Sequence, residues 1–388
     1  MGRAVDFVVL GVVLATSFSS LPIAYLLNKT NLAKDSRIVF AAGALCLAAA
    51  ILAPAYVLRR RYRNVDFIIY VFAMFCWSAI LDLFVGLELD GFVKFFIPFD
   101  YLEGEPYLNT THGTMMCYWD GTAHFVLQLS GIVLFCMQES YREVGLYWSG
   151  SFINSMLVLI SGALLGKGPV KGATFLNVPY FCFPVISAFK LIRDRPLQAR
   201  SYMRIPPITR RPVDLLFLVY FILASILAIF RGFTVLGANI SCMKQYLEMF
   251  EPYLNDPSSF PKAQMLVYQF YFLFYYLCAI HGLLYPGQLF MSDWSIIHAG
   301  ASAQSQFVHI ASSLHRRTPK ALRAPRAGVP GAAFWGINLA LLIVPHLFAL
   351  RCWRDPENCG RTYTTDIARP VTQPATRQSV YRTPSKRD

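Results

Sequence analysis

Ten apolar stretches of about 20 residues each dominate this chain of 388 residues. A helix needs roughly 20 apolar residues to cross the hydrocarbon core of a bilayer. The stretches cover residues 4–27, 37–58, 65–87, 113–137, 145–165, 174–192, 213–236, 263–286, 294–314 and 331–351. The sequence therefore predicts an all-α polytopic membrane protein with about ten transmembrane helices.

The composition is typical of a membrane protein, and the spacing of its cysteines and histidines indicates no metal site. Only 15% of the residues are charged, whereas soluble domains carry about 25%. Most of the nine cysteines fall inside predicted spans, where cysteine behaves as a small apolar residue. We find no CxxC pair and no His/Cys cluster with zinc spacing, so we predict no metal ion, no cofactor and no disulfide framework.

Basic residues between the spans predict the orientation, because positive loops stay in the cytosol. They concentrate at residues 59–63 and 193–211, and an even span count then places both termini in the cytosol. The Asn-x-Ser/Thr sequons at Asn28, Asn109 and Asn239 consequently face the lumen, and Asn109 and Asn239 are the glycosylation candidates. We attribute the net charge of +13 to topology and to anionic lipid, and predict no nucleic-acid partner.

One loop conflicts with this orientation. The basic residues between spans nine and ten would be lumenal, namely Arg316, Arg317, Lys320, Arg323 and Arg326. Span nine, residues 294–314, is also the most polar of the ten. Whether it crosses the membrane fully is therefore left open at the level of sequence.

An internal repeat organises the chain. The pentapeptide EPYLN occurs at 105–109 and again at 251–255, 146 positions later. At the same offset ILDLFVG at 80–86 aligns with ILAIFRG at 226–232, and Trp148-Ser149 aligns with Trp294-Ser295. We predict two leading helices followed by two four-helix units of the same orientation, a parallel repeat.

The predicted domain boundaries follow from this repeat. Residues 1–58 are the two leading helices, 59–192 the first unit, 193–212 a basic cytosolic linker, 213–351 the second unit, and 352–388 a basic disordered cytosolic tail. We interpret EPYLN itself as a loop-to-helix junction, because proline suits the first helical turn and glutamate suits a helix N-terminus.

The two units differ in their ionisable residues. The first carries Asp82, Asp120 and, one turn after Asp120, His124. Such groups cost roughly 2.5–3.5 kcal/mol each inside a span, so they usually face a bundle interior or a wet cavity. Because an Asp and a His one turn apart can share a proton, Asp120, His124 and Asp82 are the candidate catalytic residues.

The second unit is aromatic and polar in the matching helices. It supplies most of the candidate lipid-binding residues, which are Trp119, Tyr268, Tyr271, Tyr275, His298, His309 and Arg231. One hypothesis places the acidic helices of the first unit opposite the polar stripe and Arg231 across a shared pocket. The alternative is structural: Asp82 faces water or pairs with Arg231, while the histidines and aromatic rings pack between helices.

Several long motifs resemble one known family. They are EGEPYLNTTHGTMMCYWDGTAH at 103–124, GLYWSGS at 145–151, FRG at 230–232, EPYLNDPSSFPKAQMLVYQFY at 251–271 and AQSQFVHIASSLHRRTP at 303–319. These stretches are similar to the signature of the transmembrane 6 superfamily. The resemblance spans about 65–353 and implies two EXPERA-type units, a four-helix domain shared with sterol Δ8-Δ7 isomerase and the sigma-2 receptor.

The resemblance also implies a role in lipid metabolism. One member of the family is associated with the endoplasmic reticulum, the adjoining intermediate compartment, triglyceride secretion in lipoproteins and lipid-droplet content, and its sister with lysosomes. The implied partners are sterol, phospholipid or triglyceride, together with proteins of the endoplasmic reticulum membrane or of lipoprotein assembly. The implied location is the endoplasmic reticulum and intermediate compartment, or alternatively the lysosomal membrane.

The sequence carries only some of the residues that sterol isomerases use for catalysis. Asp120 matches the second-helix acid of the sterol isomerases, but their first-helix His/Glu pair is absent, and Val85 or Arg231 stands where the Glu is expected. Three hypotheses therefore remain. The first is a non-catalytic lipid-handling protein, the second an isomerase-like enzyme, and the third a lipid transporter.

Overall fold

The computed structural model describes residues 4–30, 36–94, 106–166, 172–195, 200–201, 206–354 and 363–364, and these are almost entirely helical. The described α-helices are α1 Phe7–Phe18, α2 Ser20–Lys29, α3 Ser36–Ala50, α4 Leu52–Arg61, α5 Phe67–Leu89, α6 Thr111–Trp119, α7 Phe125–Met137, α8 Arg142–Leu165, α9 Asn177–Arg193, α10 Pro212–Val235, α11 Ser241–Met249, α12 Phe260–Val267, α13 Leu273–Leu284, α14 Phe290–Leu314 and α15 Gly328–Arg354. A two-residue parallel pair, β1 Arg200–Ser201 with β2 Tyr363–Thr364, completes the regular structure.

These helices build ten segments of membrane-spanning length. Helix α1 continues into α2 at Ser19 and α3 into α4 at Ile51, while π-helical turns join α6 to α7 and α12 to α13. Eight of the ten segments are both long and apolar enough to cross a membrane. The other two, residues 111–137 and Phe290–Leu314, are equally long but carry several buried polar side chains. The predicted multi-pass helical fold is confirmed.

Ion pairs between helix termini mark one end of the bundle. Asp6 at the start of α1 lies 3.6 Å from Arg61 at the end of α4. Lys190 near the end of α9 lies 2.5 Å from Asp66, which caps α5 by accepting from the Ile68 amide. Arg351 near the end of α15 pairs with Asp214 in the first turn of α10 at 2.7 Å. We call this the basic end.

The opposite end carries the sequons. Asn109 and Asn239 are both exposed there, after α5 and α10 respectively. We call it the sequon end. Its contacts join distant segments, since His315 Nε2 lies 3.1 Å from the Asp90 carboxylate at the end of α5.

Helix α14, which contains predicted span nine, runs from one end of the bundle to the other. Its first turn holds Asp293, 2.7 Å from Arg142 at the basic end. Just beyond its last turn Arg317 donates to Asn109 Oδ1 at 2.7 Å and to Thr114 at 2.9 Å. The basic loop after α14 thus lies at the sequon end. Part of the charge of this loop is used in local contacts, because the Arg317 guanidinium is bound to Asn109 and Thr114.

The local elements of the first unit recur in the same order in the second. Both PYLN segments form 3₁₀ turns, Pro106–Asn109 and Pro252–Asn255. Both second helices contain a π turn, Asp120–His124 and Tyr268–Phe272. In both units an acidic residue at the start of the first helix pairs with a basic residue near the end of the fourth. The structure also contains a helix that we did not predict, α11, between the first and second spans of the second unit.

The third helices of the two units, α8 and α14, cross at their glycines. A Cβ atom on Gly150 would collide with the carbonyl oxygen of Ile297, and one on Gly300 would collide with that of Tyr147. Beside this crossing Asn154 donates to Gln304 across the two helices at 2.5 Å. Small residues let membrane helices approach closely, and polar side chains then join them. The two units are therefore held together by backbone contact.

Aromatic clusters fill the interior of each unit. The Phe72 and Trp148 ring centroids lie 4.9 Å apart in the first unit, and those of Phe221 and Phe348 lie 4.9 Å apart in the second. The predicted tail, 352–388, lies outside the described residues except for the end of α15 and β2. In the linker Arg195 reaches across to pair with Asp293 of α14.

Candidate functional site

The π turn of the first unit brings two predicted site residues into contact. Thr110 caps helix α6, because its side chain accepts from the Gly113 amide, and the backbone changes to π geometry at Asp120. Asp120 Oδ1 lies 2.6 Å from His124 Nδ1. Single π turns within α-helices occur often at functional sites. The predicted Asp120–His124 interaction is thus present as a direct hydrogen bond.

A serine from the next helix completes the group. Ser151 of α8 places its hydroxyl oxygen 2.7 Å from His124 Nε2. The Trp119 indole donates to the same oxygen at 2.9 Å and also lies 3.2 Å from His124 Nε2. We did not predict Ser151. Its only signal in the sequence is its place at the end of GLYWSGS, a motif carrying the family resemblance.

The donors and acceptors of these four side chains are consistent with one arrangement of protons. The indole N–H can only donate, so Ser151 accepts from Trp119. The Ser151 hydroxyl can then donate its own hydrogen bond to His124 Nε2. In this arrangement the imidazole carries its hydrogen on Nδ1, which donates to the Asp120 carboxylate. We call this chain of Trp119, Ser151, His124 and Asp120 the polar relay.

The polar relay is buried inside an apolar bundle. His124 and Ser151 are fully buried and Asp120 is 8% exposed, whereas Trp119 is half-buried. Phe152 stacks on the His124 ring with centroids 3.8 Å apart. Gly121 presses against the backbone of Leu83 on α5, where any larger residue would collide. The helices are therefore packed closely around the relay.

Asp82, the third candidate catalytic residue, lies on α5 immediately before the Leu83–Gly121 contact. It is half-buried. The structure therefore brings Asp120 and His124 together in the relay and places Asp82 at the same level of the bundle, on the neighbouring helix.

The predicted lipid-binding residues of the second unit form a packed interior. His298 stacks on Tyr275 with centroids 4.0 Å apart, and Phe272 approaches it edge-on. Tyr268 donates to Ser305 at 3.0 Å and accepts from Gln306 at 2.7 Å. Among the predicted lipid-binding residues only Trp119 and Tyr271 are half-buried, and the others are almost fully enclosed by protein.

Arg231 makes its ion pair within its own unit. The side chain bonds to Glu251, the glutamate of the second EPYLN, and it also donates to Asn338 at 3.1 Å and to Tyr246 at 2.9 Å. His309 lies 3.7 Å from the same carboxylate. We call Arg231, Glu251, Asn338 and His309 the charged cluster. The hypothesis that Arg231 faces the acidic helices of the first unit across a shared pocket is thus replaced by an internal pair.

Glu251 also corrects our interpretation of EPYLN. We expected the glutamate to serve a helix N-terminus, but its carboxylate points into the bundle. Burial alone would raise its pKa, yet the Arg231 charge, with His309 and Asn338, outweighs burial and holds the pKa of Glu251 at about 2. The equivalent Glu105 lies outside the described residues. Within the described ranges no group of three or more His, Cys, Asp or Glu side chains is arranged to hold a metal ion.

Comparison with known proteins identifies similar sequences over most of the chain. Residues 19–202 match the family model described as the Transmembrane 6 superfamily member 2-like, transmembrane domain. The mouse protein Transmembrane 6 superfamily member 2 is 37% identical over 357 residues, covering 89% of this chain and 93% of the relative. The human protein of that name is 36% identical with the same coverage. No solved structure matches the chain.

Proposed function

Since the chain belongs to the transmembrane 6 superfamily, we propose that it handles neutral lipid within an internal membrane, and that the polar relay binds the polar group of that lipid. The observation that carries the proposal is the burial of Asp120, His124 and Ser151 within a membrane bundle. Ionisable side chains are costly there and usually mark a functional site.

The chemistry of the relay favours an uncharged lipid group. Its members offer one hydroxyl, one imidazole, one carboxylate and one indole N–H, and none of them is Lys or Arg. A phosphate headgroup needs cationic partners. A sterol hydroxyl or the ester of an acylglycerol can instead exchange hydrogen bonds with serine and imidazole. The ligand we propose is therefore a sterol or a neutral glycerolipid.

The family resemblance supports a proposal for the cellular process and the compartment in which the protein acts. We infer a role in lipidating and secreting triglyceride-rich particles and in setting lipid-droplet content, in the endoplasmic reticulum and the intermediate compartment. Proteins of lipoprotein assembly are the partners this role would use. The lysosomal membrane is the alternative location.

Photo-crosslinking tests the binding proposal. Full-length protein in proteoliposomes should be labelled by diazirine analogues of cholesterol or diacylglycerol more than by one of phosphatidylcholine. We expect Trp119→Ala and His124→Gln to lower neutral-lipid labelling about tenfold, because one lost hydrogen bond to a buried polar group costs roughly 1–2 kcal/mol.

Thr122→Ala is the matched control. Thr122 lies on the exposed side of the same π turn and bonds to the Tyr118 carbonyl at 2.5 Å. Its labelling should equal that of the wild type. Equal neutral-lipid labelling in all four proteins, or labelling by phosphatidylcholine alone, would overturn the proposal.

A second candidate function is an isomerase-like enzyme. It is favoured by the 2.6 Å contact between Asp120 and His124, which suits proton transfer to and from an alkene. We expect Asp120→Asn to lower turnover of a Δ8-sterol at least 100-fold if this reaction occurs. Sterol binding by the wild-type protein without conversion would exclude the second candidate and leave the first standing.

A further inference from the structure

Three side chains of the polar relay stand in the order and at the distances of a nucleophile, its base and the group that orients the base. We propose that Ser151 is a nucleophile activated by His124 and Asp120, and that the first unit transfers the acyl group of a neutral lipid ester. This inference rests on the proposed function for its substrate class.

The distances fit nucleophilic catalysis. Ser151 Oγ to His124 Nε2 is 2.7 Å and His124 Nδ1 to Asp120 Oδ1 is 2.6 Å. A nucleophile and its base act within about 2.6–3.2 Å, and a third group holds the base in the correct tautomer. The proton arrangement described above is the reactive one, because Nε2 carries no hydrogen and can accept the serine proton.

Ser151 differs from several other serines of the spanning helices in its hydrogen-bond partner. Ser17, Ser161 and Ser225 each return a hydrogen bond to the carbonyl one turn back in their own helix, at 2.5–2.7 Å. That is the usual way a serine is satisfied inside a helix. Ser151 is bonded across helices to a histidine instead. Its orientation therefore serves contact with His124.

Trp119 supplies a donor beside the reacting atom. Its N–H lies 2.9 Å from Ser151 Oγ, so an ester carbonyl attacked by that oxygen would bring its own oxygen close to the same donor. A fixed N–H at that place stabilises the developing negative charge. Trp119 is the half-buried member, packed 5.1 Å from the Phe307 ring of the second unit. We infer that substrate enters past its indole ring.

The reaction balances without a metal ion or a redox partner. Ser151 Oγ attacks the ester carbonyl carbon while His124 Nε2 takes the hydroxyl proton. The bond from that carbon to the alcohol oxygen breaks, and His124 gives the proton to the leaving alcohol. The acyl group is then released when a second lipid alcohol, or water, attacks the acyl-serine with His124 again as the base. Asp120 accepts from Nδ1–H and stabilises the imidazolium as it forms.

An alkyne fluorophosphonate, which forms a stable adduct with activated serines, tests the proposal. Full-length protein in proteoliposomes should acquire the adduct on Ser151, located by mass spectrometry of the peptide. Ser151→Ala should abolish labelling, and His124→Gln should slow it at least 100-fold. Asp120→Asn should also slow it.

Ser155→Ala is the matched control, because Ser155 is equally buried one turn further along α8 and has no hydrogen-bond partner among the described residues. Its labelling rate should equal that of the wild type. Thermal unfolding of each variant shows whether the fold survives. As a second measurement, Ser151→Cys should react with iodoacetamide about tenfold faster than Ser155→Cys, because His124 promotes the thiolate.

The outcomes separate the two proposals. Neutral-lipid crosslinking without a Ser151 adduct would overturn the nucleophile and keep lipid handling. An adduct on Ser151 without lipid crosslinking would keep the nucleophile and overturn the lipid substrate. Equal alkylation of the two cysteine variants, or adducts spread over the serines of α8, would also overturn the nucleophile.

Discussion

Glu251→Ala should lower the free energy of unfolding by about 3–5 kcal/mol, because it leaves the Arg231 charge buried without its carboxylate. Arg231 and Glu251 are each about 1% exposed. Removing one member of a buried pair costs far more than removing both. The double variant Arg231→Met, Glu251→Gln should therefore recover most of the loss.

Thermal unfolding in detergent or nanodiscs, together with protein abundance in cells, measures this effect. Glu248→Ala is the control, since Glu248 is an exposed glutamate on α11 only three residues away, and its change should stay within about 0.5 kcal/mol. A double variant as unstable as Glu251→Ala would show that the pair matters for more than charge neutralisation.

The Arg231–Glu251 pair also predicts how the stability of the protein changes with pH. The folded pKa of Glu251, about 2, lies below its ordinary value of 4.5. A depressed carboxyl pKa contributes stability that is fully present above pH 4.5 and is lost as the pH falls toward 2. We expect the charged cluster to remain intact at any pH of a cellular lumen. The difference in stability between wild type and Glu251→Gln should narrow only below pH 4.5.

Gly150→Ala and Gly300→Ala should each destabilise the protein by about 1–3 kcal/mol, the cost typical of overpacking a close interface. At both positions the added methyl group would meet a backbone carbonyl of the opposite third helix, which cannot rotate away as a side chain can. The two helices must then separate. The double variant should lose less than the sum of the single losses, because the first methyl group already makes room for the second.

The crossing also positions the polar relay. Gly150 directly precedes Ser151, so separating α8 from α14 should lengthen the Ser151–His124 hydrogen bond and lower fluorophosphonate labelling. Gly336→Ala on α15 is the control, since among the described residues no atom from outside its own stretch of helix lies within 4 Å of the added methyl group. Unchanged unfolding temperatures and labelling in Gly150→Ala would contradict the close contact described for α8 and α14.

The sequence located the helices well because helix formation in a membrane is local. Each spanning segment satisfies its own backbone hydrogen bonds, so length and apolar composition are sufficient to find it. All ten predicted spans correspond to helical segments, including 294–314 within Phe290–Leu314. The Asp120–His124 pair was equally local, because residues four apart lie on one face of a helix.

Other features depended on how the helices pack. The π turns alter the backbone register by one residue, and the composition of DGTAH or YQFYF carries no rule that predicts this. The basic loop after span nine could not be placed from its charge, whereas the structure shows Arg317 bound to Asn109. Arg231 was assigned to the wrong neighbour because the sequence does not show that Glu251, 20 residues further along the chain, folds back to it.

The sequence by itself determined that this is a repeated, helical, multi-pass membrane protein, and it placed an acid and a base together on one helix. Only the tertiary structure decided what those groups touch. Ser151 is 27 residues beyond His124 on another helix, and Glu251 reaches Asn338 on the last helix at 3.1 Å. Such contacts depend on the rotation and spacing of packed helices, which the glycines of the α8–α14 crossing set and no local pattern encodes.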